Sequence, residues 1–176
     1  MKHLLLLFTA LIILNGCSND DDNASLPPET QTGANTVGCL VNGKVFLPHA
    51  EGLNPSVNCF YQFVDGEFFF TLRFSDFRQG RSESVFLQTK RIDLKKENTY
   101  LLNKNMDNDG DYNGGGAMYW LTPSKISYTN SIKKGELTIT RVDVQNSIIS
   151  GTFWFDAINT DNEVVEIREG RFDWNY

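Results

Sequence analysis

The chain has 176 residues and a formal net charge of −6, and aromatic residues make up 12% of it. The acidic balance argues against nucleic acid as a partner, and the aromatic content favours β-sheet. The length is enough for a single domain with its own hydrophobic core.

The first sixteen residues have the pattern of a signal peptide. The apolar run 4–14, broken only by Thr9, is too short to cross a bilayer, which takes about 20 apolar residues. Leu14, Asn15 and Gly16 precede Cys17, an arrangement that resembles the lipobox of bacterial lipoproteins. The resemblance implies cleavage before Cys17 and acylation of this residue with chains such as palmitate, which would hold the protein on a membrane. An ordinary secretory signal and an uncleaved anchor are the alternatives.

Residues 17–35 are predicted to form an acidic, flexible tether. The run 18–23 contains three consecutive aspartates and has no helical or strand periodicity, and Pro27 and Pro28 follow. The acidic run resembles the export signal of surface lipoproteins in Bacteroidota, which implies outer-membrane attachment with display at the cell surface. A charged spacer on a protein that faces the periplasm is the alternative.

Two cysteines remain after Cys17. Cys39 and Cys59 form an even pair in a protein that is expected to be exported to an oxidising compartment. A disulfide between them is predicted, with two buried free thiols as the alternative.

Residues 36–176 are predicted to form a single all-β domain. Asn42-Gly43 and Asp65-Gly66 each separate two β-prone runs, a strong hairpin signal. Segments 135–144 and 148–158 have the pattern of a further hairpin, and Gly170 is expected to mark a bulge in the last strand. With no segment of helical period, the prediction is an antiparallel β-sandwich or barrel-like fold of about eight to ten strands, with little or no helix.

Four short segments carry a family resemblance. The opening 38–48, with Cys-Leu-Val-Asn-Gly-Lys, and the later segments 135–140, 149–155 and 169–173 resemble a family of small Bacteroidota lipoproteins of unknown function. The resemblance implies an all-β domain. It implies no catalytic residue, because the family has no known ones.

Residues 103–116 are predicted to be a loop that contains the best metal-binding pattern of the chain. Asn105, Asp107, Asp109 and Asp111 alternate along it, and oxygen ligands at such positions can converge on calcium. However, Gly116 stands where the bidentate glutamate of a calcium-binding loop is needed. The loop is therefore only a weak calcium candidate, with a flexible acidic loop as the alternative, and no metal site is predicted.

Histidine chemistry is nearly absent. After the signal peptide, His49 is the only imidazole, so a Ser-His-Asp triad or a multi-histidine zinc site would depend entirely on it. No phosphate-binding loop or other cofactor motif is present. No catalytic residue and no cofactor are predicted.

Three functions are compatible with these features. The first is a non-enzymatic, lipid-anchored module that binds an unknown protein or glycan, or acts in envelope assembly. The second is a glycan-binding module that stacks sugars on an exposed tryptophan, with Trp120, Trp154 and Trp174 as candidates. The third is a carboxylate-dependent hydrolase, which needs two facing carboxyl groups. Glu163, Glu166 and Glu169 do not share one face of a strand, and a solvated edge strand is the simpler interpretation for them.

Overall fold

The computed structural model describes residues 24–80, 82–121 and 124–176, and Cys17 and the predicted signal peptide lie outside these ranges. The described residues form eleven β-strands and one short 3₁₀-helix, Arg78–Gly80, which confirms the all-β prediction. The strands are β1 Thr36–Val41, β2 Lys44–Phe46, β3 Val57–Val64, β4 Glu67–Asp76, β5 Glu83–Lys90, β6 Thr99–Lys104, β7 Gly114–Leu121, β8 Lys125–Tyr128, β9 Gly135–Asp143, β10 Ile148–Ile158 and β11 Val164–Asn175. No helix within the described ranges has the length and apolarity needed to cross a membrane.

All eleven strands belong to one sheet, in the order β2-β1-β11-β10-β9-β6-β7-β5-β4-β3, and β8 pairs with both β7 and β10. The strand number is slightly above the predicted eight to ten, and it includes the short strands β2 and β8. The sheet folds back on itself around one core. Phe172 on β11 lies 5.8 Å from Phe70 on β4, and Phe153 on β10 lies 6.1 Å from Phe74, measured between ring centroids. The two halves of the sheet therefore pack face to face, as in a sandwich.

Local turn chemistry sets the predicted hairpins. Asn42 and Gly43 between β1 and β2 both have positive φ, as do Asp65 and Gly66 between β3 and β4. Consecutive positive φ values are the requirement of a type I′ turn, whose twist matches that of the flanking strands. The Asn-Gly and Asp-Gly predictions are thus confirmed.

The predicted antiparallel arrangement is wrong for one pair, because β6 and β7 are parallel. The loop that joins them covers 105–113, shorter than the predicted 103–116. The two backbones approach so closely that a Cβ on Gly115 would lie 2.5 Å from the carbonyl oxygen of Leu101, and one on Gly116 would lie 2.8 Å from that of Lys104. Gly115 and Gly116, which the sequence predicts to lie in the loop, are therefore needed by the strand pairing itself.

A bulge interrupts β11 at the predicted place. Phe153 pairs with Gly170 and Phe155 with Ile167, so β11 has one extra residue between these pairs. Glu169 has a φ of 50°, and a Cβ on Gly170 would overlap the Phe153 ring. β11 lies between β1 and β10, which corrects the interpretation of this segment as an edge strand.

The amino-terminal segment is docked on the domain. Residues 24–35 form no helix or strand. However, Thr30, Thr32, Gly33 and Ala34 all donate hydrogen bonds to the carboxylate of Asp173 on β11. The side chains of Leu26 and Pro27 also lie against Gly38 on β1. A free tether can therefore extend only to about Ser25, and not to residue 35 as predicted.

The structure contains no Cys39–Cys59 disulfide, and both residues are free thiols. Cys39 lies on β1, between β2 and β11, whereas Cys59 lies on β3 at the other end of the sheet order. Cys39 is fully buried and Cys59 packs against the core, so both serve as small apolar side chains. Burial raises the pKa of Cys59 to about 12 and raises that of Cys39 further. The disulfide prediction is corrected to the alternative of two free thiols.

Candidate functional site

A shallow groove of about 340 Å³ lies on the outer face of β9, β10 and β11. We call it the Trp154 groove. Its lining residues are Glu29, Glu136, Thr138, Thr152, Phe153, Trp154, Glu169, Gly170 and Arg171.

Strand alternation points Trp154 away from the core. Its neighbours Phe153 and Phe155 are buried, whereas the Trp154 side chain is 37% exposed. Its indole N–H donates to Glu136 Oε2 at 3.2 Å, from the residue directly opposite on β9. The guanidinium carbon of Arg168 lies 5.5 Å from the ring centroid, within cation–π range. The indole is therefore held in one orientation before any ligand arrives.

Arg168 is itself held firmly. Its guanidinium donates to the carbonyl oxygens of Phe155 and Ile167 and to the Asp156 carboxylate at 2.6 Å. A side chain with three hydrogen bonds loses little further freedom when a ligand binds. Arg168 thus acts as a rigid support for the neighbouring indole.

The wall of the groove carries both signs of charge. Arg171 lies 3.3 Å from Glu169 and 4.0 Å from Glu29, measured between guanidinium nitrogens and carboxylate oxygens. Glu29 belongs to the docked amino-terminal segment, so this segment completes the groove. Carboxylate acceptors and guanidinium donors around an aromatic ring can bind hydroxyl groups of a ligand that packs on the ring.

The other two tryptophan candidates are less accessible. Trp120 on β7 is half-buried, and Trp174 near the end of β11 is half-buried and packs against the core. Of the three predicted stacking residues, the structure places only Trp154 on an exposed groove. Glu136, Arg168 and Arg171 were not predicted as site residues, because their proximity to Trp154 depends on strand register rather than on a sequence motif.

The calcium candidates do not converge in the structure. The side-chain oxygen of Asn105 accepts from the backbone N–H groups of Asp107 and Asn108, and the Asp109 carboxylate accepts from the Asn105 N–H at 2.6 Å. Asp111 points to Arg91 at 2.6 Å, and this hydrogen bond lowers the pKa of Asp111. Among the residues that the structure describes, no group of three or more His, Cys, Asp and Glu side chains is arranged to hold a metal ion.

The three glutamates considered for a hydrolase are each paired with a cation. Glu163 lies 3.3 Å from Lys125, Glu166 lies 3.6 Å from Arg168, and Glu169 binds Arg171. All three glutamates are exposed.

His49 is exposed, and its backbone forms hydrogen bonds with residues at the end of β4. Its N–H donates to the carbonyl oxygen of Ser75 at 2.9 Å, and its carbonyl accepts from the N–H of Phe77 at 3.1 Å. These contacts place it beside the end of β4, and it is not among the residues that line the Trp154 groove.

Neither a curated protein nor a solved structure matches the chain. A family described as Domain of unknown function (DUF6252) matches residues 77–173. The match begins just before β5 and ends within β11, so it includes Trp154, Glu136 and Arg171. Because it covers more than half of the sequence, the chain belongs to this family, the Domain of unknown function DUF6252.

Proposed function

We propose that the protein is a lipid-anchored outer-membrane protein whose β domain binds a carbohydrate at the Trp154 groove without converting it chemically. The observation that carries the proposal is the exposed, pre-oriented indole of Trp154, surrounded by charged hydrogen-bonding groups.

The chemistry of the groove fits a sugar ring. One face of a pyranose presents C–H groups that pack on an aromatic surface, while its hydroxyl groups need donors and acceptors at the rim. Glu136, Glu169 and Arg171 supply such groups, and Thr138 and Thr152 add hydroxyls on the floor. The groove is shallow, which suits an extended chain of sugars that passes over the surface.

The anchor would keep this groove near a membrane. Acylation of Cys17 is supported by the sequence before it, and Leu26 is already in contact with Gly38 on the domain. An extended chain between Cys17 and Leu26 spans at most about 30 Å. The acidic run 20–22 supports display at the cell surface, where extracellular polysaccharides are accessible.

A non-catalytic role is supported by the state of the carboxylates in the groove. Glu136 accepts the indole N–H, and Glu29 and Glu169 both lie against Arg171. Each carboxylate thus has a structural partner. A hydrolase instead needs one carboxyl as an acid and a second one as a nucleophile or base.

The test is binding of a panel of neutral and acidic oligosaccharides to the mature chain and to a Trp154→Ala variant, measured by calorimetry. The matched control is Phe63→Ala, which removes another exposed aromatic side chain, on β3. We expect Trp154→Ala to lose at least about tenfold in affinity, equivalent to about 1.4 kcal/mol, and the control to bind as the wild type does. An equal loss of affinity in both variants, or no binding of the wild type to any oligosaccharide of the panel, would overturn the proposal. Release of new reducing ends from a bound oligosaccharide would show a hydrolase instead.

A further inference from the structure

A second cleft, of about 730 Å³, lies where the loop 105–113 meets the turn that follows β8. It shares no lining residue with the Trp154 groove. Five of its nine lining residues are asparagines, namely Asn103, Asn105, Asn108, Asn113 and Asn130. We call it the asparagine cleft.

Two of these asparagines build the walls. Asn105 Oδ1 accepts from the N–H of Asp107 at 2.9 Å, and Asn130 Oδ1 accepts from the N–H of Ile132 at 2.8 Å. Both carbonyls are therefore committed to the turns in which they lie. They shape the cleft, and their side-chain NH₂ groups remain as donors.

The other three asparagines have unused side chains. Within the described part of the chain, the side-chain amides of Asn103, Asn108 and Asn113 make no hydrogen bond. Each amide offers two donors and an acceptor oxygen with two lone pairs. The cleft thus presents several donors and acceptors that carry no charge.

Long-range contacts hold the loop in place. Arg91 on the far side of the loop binds the Asp111 carboxylate, and the Thr129 hydroxyl donates to the carbonyl oxygen of Lys104 at 2.8 Å. Tyr112 is buried beneath the loop, and its hydroxyl donates to Gln88 on β5 at 3.2 Å. The walls are therefore fixed by contacts to the sheet. Binding of a ligand would lose little conformational entropy in the loop.

The charges of the cleft nearly cancel. Lys104 and Asp109 are its only charged lining residues, and the Asp109 carboxylate accepts the backbone N–H of Asn105. Asp107 and Asp111 lie in the same loop, and Asp111 is paired with Arg91. Asp107 adds negative charge near the cleft, which disfavours an anionic ligand. Amide-rich surroundings with little net charge suit a ligand with many neutral hydroxyl groups.

We propose that the asparagine cleft is a second binding site, independent of the Trp154 groove, and that it takes a neutral carbohydrate. The free amides of Asn103, Asn108 and Asn113 would bind the sugar hydroxyls, and Asn105 and Asn130 would shape the cleft.

The experiment is a titration of the ¹⁵N-labelled mature chain, followed by NMR through the side-chain NH₂ signals of asparagine. The probes are a β-glucan, a mannan and a chitin oligosaccharide, with a polyuronic acid oligomer as the anionic comparison. We expect a saturable shift of the Asn103 and Asn113 signals with at least one neutral probe, and a weaker response to the anionic oligomer.

Variants separate this site from the Trp154 groove. An N103D/N113D double variant exchanges two amides for isosteric carboxylates, and we expect it to lose at least tenfold in affinity at the cleft with an unchanged melting temperature. Asn58→Asp, at an exposed position on β3, is the matched control, and Trp154→Ala should leave the shifts at the cleft intact. Absence of any shift at Asn103 and Asn113, full binding by the double variant, or an equal response to the anionic oligomer would overturn the proposal.

Discussion

The hydroxyl of Thr30 lies 2.7 Å from a carboxylate oxygen of Asp173, although 143 positions separate the two residues. Asp173 is 1% exposed, and it also accepts hydrogen bonds from the N–H groups of Thr32 and Gly33 and from the Ser150 hydroxyl. Burial alone would raise the pKa of this carboxyl, but the hydrogen bonds outweigh burial and hold its pKa well below the usual range. The buried charge thus fastens the amino-terminal segment to β11 and positions Glu29 at the Trp154 groove.

Asp173→Asn is expected to release residues 24–34. The amide would keep only one acceptor oxygen and would direct an NH₂ group at backbone N–H donors, so the free energy of unfolding should fall by about 2–4 kcal/mol. Hydrogen exchange at Thr32 and Gly33, together with thermal unfolding, measures both effects. Asp161→Asn is the control, because this exposed aspartate uses only its backbone N–H, in a bond to Asn159. If the amide of Thr32 stays protected from hydrogen exchange in Asp173→Asn, Asp173 is not what holds this segment on β11.

The same carboxyl predicts a dependence of stability on pH. Its pKa is lower in the folded than in the unfolded chain, so its contribution to stability is complete above about pH 4, the ordinary value for aspartate. The contribution is lost as the pH falls through the folded pKa. The melting temperature of the wild type should therefore decrease more steeply below pH 4 than that of Asp173→Asn. Parallel curves for the two proteins would contradict the low folded pKa.

Cys39 and Cys59 are expected to resist alkylation in the folded protein. Both thiols are shielded by the core, and burial raises their pKa values, so the reactive thiolate is scarce. In denaturant without reductant, both should react completely with iodoacetamide, as measured by intact mass. Labelling in denaturant that requires prior reduction would show that a disulfide forms after all.

Gly115→Ala is expected to destabilise the domain by about 1–3 kcal/mol, the usual cost of an overpacked site. The added methyl group would lie 2.5 Å from the Leu101 carbonyl oxygen and would push β6 away from β7. Gly43→Ala is the comparison, because its site has open space and a φ of 80°, so only backbone strain of about 1 kcal/mol applies. Denaturant unfolding of the two variants separates a steric clash from strain. A smaller loss of unfolding free energy in Gly115→Ala than in Gly43→Ala would argue against the close parallel pairing of β6 and β7.

Cys17→Ser is expected to remove the protein from the detergent-rich phase of a phase-partition experiment, or to leave the precursor unprocessed. The acyl chains would supply nearly all of the membrane affinity, at about 0.8 kcal/mol for each buried methylene group. Ser18→Ala, one residue further on, should partition as the wild type does. A fully processed Cys17→Ser protein that stays in the detergent phase would exclude lipid anchoring at this residue.

Local signals in the sequence determined the fold class and most strand positions. Asn42-Gly43 and Asp65-Gly66 predict their hairpins because a type I′ turn requires two residues that tolerate positive φ. Phe68, Phe70, Leu72 and Phe74 occupy every second position of β4, and this spacing predicts a strand because successive side chains point to opposite faces. Such signals depend only on residues a few positions apart, so a single sequence is enough to detect them.

Contacts between distant residues were decided by the tertiary structure alone. The parallel pairing of β6 with β7 and the anchoring of Thr30 on Asp173 each join segments whose sequences carry no local sign of the contact. The free state of Cys39 and Cys59 likewise could not be read from their spacing. The Trp154 groove has the same origin, because the register between β9 and β10 places Glu136 opposite the indole. Strand order and register follow from the packing of the whole core, and the residues that could form a binding site become neighbours only when that packing is complete.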